Sequence, residues 1–63
     1  MKNYQVELKN IKWAGDWPGK DTEFTQTVEA ASADGALEKV KLAAEMKNKG
    51  IIKQLEKTIT AVP

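Results

Sequence analysis

Apolar and polar residues alternate over residues 3–8, with Tyr4, Val6 and Leu8 on one side and Gln5 and Glu7 on the other. A period of two marks a half-buried strand. After Lys9 and Asn10 the apolar positions become Ile11 and Trp13, a change of parity. A strand that swaps faces either carries a bulge or ends there. The swap leads us to expect apolar side chains on both faces of this strand. Residues 14–21 then contain Gly15, Asp16, Pro18 and Gly19, the residues of a connection. Trp17 precedes a proline and is therefore biased towards extended geometry.

Residues 22–31 form the second expected strand, with Phe24, Gln26, Val28 and Ala30 sharing one face and Thr25, Thr27 and Glu29 the other. At Ser32 the period changes. A serine side chain there can accept from the amides of a following helical turn, and Asp34 lies where the helix dipole favours negative charge. A helical projection gathers Ala33, Ala36, Leu37, Val40 and Ala44 into one stripe with Ala43 at its edge, and Gly50 supplies a stop. Small side chains on that stripe allow close approach to a sheet. Leu42 and Met46 fall about 140° and 180° from Leu37, well outside the stripe.

The last segment, IIKQLEKTITAVP, has two readings. Ile52, Leu55, Ile59 and Val62 recur with helical spacing, whereas Leu55, Ile59 and Ala61 alternate with Glu56, Thr58 and Thr60 as in a strand. Thr-Ile-Thr and the final proline favour the strand; the helix formers at residues 53–57 support the helix. With the strand, the order is β-β-α-β. The expected fold is a single α+β domain, a three-stranded antiparallel sheet of order 2-1-3 with one helix on one face. The other face is uncovered. Such a face is ordinary if polar and a dimer surface if apolar.

A chain of 63 residues allows one small domain. A domain of this size buries only about 60% of its unfolded surface, and there is no cysteine to staple it. Small unstapled scaffolds often gain stability by association, so a homo-oligomer, most simply a dimer, is expected. The net charge is +1, but it is unevenly spread. Residues 16–38 set Asp16, Asp21, Glu23, Glu29, Asp34 and Glu38 against Lys20; residues 39–63 set six lysines against Glu45 and Glu56. Such asymmetry can mark an acidic and a basic face.

Without histidine or cysteine, the Ser/His and Cys/His arrangements of nucleophilic catalysis cannot be built. Asp16, Asp21 and Glu23 lack the dense spacing of a calcium loop, and no Ser or Thr directly follows Lys20 to complete a phosphate loop. No catalytic, cofactor-binding or metal-ligating residue is therefore expected, and no enzyme. No apolar run reaches the roughly 18–20 residues of a membrane span, and no secretory h-region follows Met1, which points to a cytoplasmic protein without membrane contact.

The run FTQTVEAASADGALEKV, a strand followed by a serine-capped helix, resembles small phage-encoded proteins of ββαβ build. It is similar, more faintly, to the strand–helix passage of archaeal ribosomal protein LX. The first resemblance implies an inhibitor or adaptor that occupies a surface of a host protein. The second implies RNA binding through a basic segment after the helix. Here that segment, MKNKGIIKQ, has lysines alone. Protein interaction is the leading expectation, with Trp13, Trp17, Pro18, Leu42 and Met46 as candidate contacts. Trp17 is the expected exposed anchor, with Pro18 lowering the ordering cost of presenting it, whereas Trp13 should pack. The alternative is single-stranded nucleic acid, bound by an open β-face with Lys39, Lys47, Lys49, Lys53 and Lys57.

Overall fold

In the computed structural model, residues 1–15 and 19–63 are described. The elements are β1 (Lys2–Trp13), β2 (Phe24–Ala30), α1 (Ala33–Asn48) and β3 (Ile52–Val62). They form an antiparallel sheet of order β2-β1-β3, with α1 between β2 and β3 in sequence. The C-terminal segment is thus a strand: Thr58, Ile59 and Thr60 lie opposite Glu7, Val6 and Gln5 of β1. The central strand supplies non-local partners that outweigh the local helix preference of Lys53, Gln54 and Glu56.

β1 does not end at Asn10. It continues through a bulge. The β1–β3 register runs without a break to Lys9 opposite Glu56, but the next pair is Lys12 opposite Gln54, three steps along β1 against two along β3. Asn10 has φ 51°, the left-handed conformation of a G1-type bulge with asparagine in the place of glycine. Asparagine tolerates that region better than most residues. Its side chain donates to Glu56 Oε2 across the ladder at 2.7 Å. The extra residue restores parity, so Ile11 is buried with Val6 and Leu8. The expectation that Ile11 and Trp13 would point to the opposite face is therefore corrected. A second irregularity, Trp13 opposite Ile52, consumes the extra residue on β3 and turns Ile52 into the same core.

The core consists of Val6, Leu8, Ile11, Ala30, Ile52 and the α1 residues Ala36, Val40 and Ala44. Tyr4, Trp13, Phe24, Val28, Leu37, Leu55 and Ile59 pack around it, half-buried. The alanines of α1 let the helix sit close to the sheet, as its stripe predicts. Ala33, by contrast, is exposed. Ser32 caps the helix, its Oγ accepting from Gly35 N–H at 3.2 Å. The expected glycine stop is displaced by one residue: Lys49 takes the left-handed position, φ 54°, and Gly50 follows. Gly50 serves close packing instead, since a Cβ there would lie 3.3 Å from the Trp13 ring and 2.8 Å from Lys20 Cε.

The opposite face of the sheet is polar. It presents Asn3, Gln5, Glu7, Lys9 and Lys12 on β1, Thr25, Thr27 and Glu29 on β2, and Gln54, Glu56, Thr58 and Thr60 on β3. Val62, at 37% exposure, is the one large apolar side chain among its described residues. This is a solvated antiparallel face, not an apolar dimer surface.

Comparing Asn10→Ala with Asn10→Gly isolates the bulge conformation, because both variants lose the contact to Glu56. The alanine protein is expected to be less stable than the glycine protein by about 1 kcal/mol, the cost of a Cβ in the left-handed region. Urea unfolding measures the difference, and equal midpoints would contradict this role for the bulge.

Candidate protein interface and its supporting clip

The connection after β1 is fastened to the C-terminal end of α1. Trp13 Nε1–H donates to the Asp21 carbonyl at 2.8 Å, which fixes the half-buried indole against the end of the core. The Asp21 amide donates to Asn48 Oδ1 at 2.9 Å, and Asn48 Nδ2 donates to Ala44 O at 2.9 Å and to Asp21 Oδ2 at 3.3 Å. Lys47 completes the clip with an ion pair to Asp21 Oδ2 at 3.0 Å. Lys20 donates to the Asn48 carbonyl at 2.8 Å, with its ammonium 5.7 Å from the Trp13 ring centroid. Asn48 is a residue that pattern reading passes over. Its signal is only a polar side chain at a helix end, and its partner Asp21 lies 27 positions away.

Trp13 therefore packs, as expected, and is committed to closing the core. Asp16, Trp17 and Pro18 lie outside the described residues. Leu42 and Met46 are on the outer side of α1, 57% and 71% exposed. They are four apart and stack one turn above the other. The core side of the helix is set by Ala36, Val40 and Ala44, so the pair faces away from the sheet. On the helical projection Glu38, Lys39 and Glu45, exposed or half-buried, flank it.

The five lysines of the nucleic-acid reading do not gather on one surface. Lys39 Nζ donates to the Glu29 carbonyl at the β2 side of the helix, 2.6 Å away. Lys47 is paired with Asp21 and lies 5.7 Å from the Phe24 ring centroid. Lys49 is in the turn after α1, and Lys53 and Lys57 are on β3. Tyr4 and Trp13 belong to the core side, so the described residues of the open face offer no aromatic ring for a base to stack on. Among the described residues, no three carboxylates stand together as a metal site. No described helix is long and apolar enough to cross a membrane.

Comparison with protein-family models, with curated proteins and with solved structures finds no match to this chain.

The clip makes a pH prediction. The hydrogen bond from Lys47, then that from Asn48, lowers the Asp21 pKa below its ordinary value of 3.8. A depressed folded value means that the ionised carboxylate stabilises the fold above the unfolded pKa. That contribution is lost as pH falls through the lower folded value. Asp21→Asn is expected to unfold at lower urea concentration at pH 7 and to lose less stability than wild type on acidification below about pH 4. Parallel curves for the two proteins down the acid limb would refute the linkage.

Proposed function

We propose that the protein is a small, non-enzymatic interaction module that self-associates through the outer face of α1, in the manner of an inhibitor or adaptor that works by covering a protein surface. The observation that supports this reading is the Leu42–Met46 pair. Single exposed apolar residues are ordinary, but two large ones stacked on the outer face of a helix make a contact surface. Methionine adapts its shape to a partner at low cost. A second copy presenting the same pair would form a self-complementary two-fold contact, with Glu38, Lys39 and Glu45 at its rim. The resemblance to small phage-encoded proteins adds to the inhibitor or adaptor reading and names no partner.

The test is the double change Leu42→Lys and Met46→Lys, read by sedimentation at micromolar concentration and by circular dichroism. Loss of association with an unchanged spectrum is the expected result. A wild-type chain that sediments as a 7.0 kDa monomer across the concentration range would overturn self-association.

A further inference from the structure

A second surface, on the opposite side of α1, carries an inference independent of the self-association proposed above. Among the described residues, β3 is an edge strand, paired with β1 alone. Alternate residues of an edge strand point their N–H and C=O groups outward, where they can template another strand. Among the described residues, none of residues 53–62 has a backbone hydrogen bond outside the β1 ladder. The helix packs more closely over β2 than over β3. Leu55 and Ile59 are consequently only half-buried, and Leu37 stands half-buried beside them on the helix.

Between α1 and β3 lies an open groove of about 220 Å³, lined by Leu37, Lys41, Ile52, Lys53, Gln54, Leu55 and Lys57. Among the described residues, every charged residue lining it is a lysine. Lys41, Lys53 and Lys57 form no ion pair among the described residues. The neighbouring carboxylate of Glu45 is already occupied, accepting from Ile52 N–H at 2.9 Å. The carboxylate of Glu56 accepts from Asn10 across the ladder.

An apolar floor, a positive rim and an unpaired strand edge together define one kind of occupant. We propose that the β3 edge binds an extended, acidic segment of a partner protein as an added strand. Directly across from Leu55 and Ile59 the segment carries apolar side chains, and across from Lys53 and Lys57 it carries carboxylates. On one face its residues thus alternate between apolar and acidic. Main-chain hydrogen bonds supply affinity and the alternate side chains supply selectivity, the usual division in strand addition. A second copy of this chain fits the edge poorly, because symmetric pairing of β3 with β3 brings two sets of lysines into one groove.

The probe is an end-blocked, fluorescently labelled TVTETVTET peptide, titrated with the full chain and read by anisotropy. Its valine and glutamate side chains alternate on one face in either strand direction. Saturable binding is expected, weakening with added salt, and about tenfold weaker for the double variant Lys53→Glu, Lys57→Glu, whose changes are at exposed positions. The reversed-charge peptide TVTKTVTKT should prefer that variant over wild type. A TVTEPVTET peptide should lose affinity, because proline removes an amide and disfavours the added strand. Amide exchange should slow in residues 53–62 when the first peptide binds. The Leu42→Lys, Met46→Lys protein should bind it unchanged, which separates this edge from the self-association surface. Equal binding of glutamate and lysine peptides, or preference for an oligothymidylate over either, would overturn the proposal. Slow exchange of the same amides in the free protein at high concentration would also do so, by assigning the edge to a second copy.

Discussion

The structure depends on a parity constraint in the central strand. A β-strand offers alternate side chains to one face, so a single unpaired residue transfers everything beyond it to the other side. Val6 and Leu8 are even-numbered, while Ile11 and Trp13 are odd, and only the bulge at Asn10 lets all four serve one core. The compensating offset opposite Trp13 does the same for Ile52. Without these two offsets, a core this small would lose Ile11 and Ile52 to solvent. The open face would then acquire the apolar patch that it lacks. One conformational detail at Asn10 therefore decides both how the fold is held together and which surface stays polar.

The opposite constraint acts at the far end of the helix. The Asp21–Asn48–Lys47 cluster ties the β1–β2 connection to α1, while Trp13 fills the space beneath and Gly50 leaves room for its ring. The cluster is partly exposed, so its contribution is modest in energy and specific in geometry. It fixes how α1 lies across the sheet: over β2, clipped at its C-terminal end, with Leu37 and Lys41 turned towards β3 and Leu42 and Met46 turned outward. The two candidate contact surfaces follow from that placement. One is the apolar pair that the clipped helix exposes. The other is the lysine-rimmed groove that it leaves uncovered.

Charge takes its meaning from the same arrangement. The lysine-rich second half of the chain reads as one basic block, but the fold distributes it. Lys39 and Lys47 are spent on the Glu29 carbonyl and on Asp21, whereas Lys41, Lys53 and Lys57 converge on the groove. The groove was not legible as a site, because Lys41 and Lys57 are brought together by tertiary packing alone. Leu42 and Met46 were legible as exposed, since the phase of one helix is a local property. Trp13 was legible as a packing residue but not on this face, since the bulge that turns it towards the core is set by pairing with β3.

What the sequence by itself determined is local: the identity and order of the first three elements, the serine cap, the alanine stripe and the outward phase of Leu42 and Met46. Each rests on residues within a few positions of one another, where propensity and periodicity operate. Tertiary structure decided the rest. It chose strand over helix for residues 52–62, because β1 offered Val6 a partner in Ile59 and Glu7 a partner in Thr58. It chose continuation over termination at Asn10, because burying Ile11 outweighed a left-handed asparagine. It moved the left-handed cap from Gly50 to Lys49, because the glycine was needed where Trp13 approaches. In each case the deciding partner is distant in sequence, and its free energy exists only once the chain has folded back on itself.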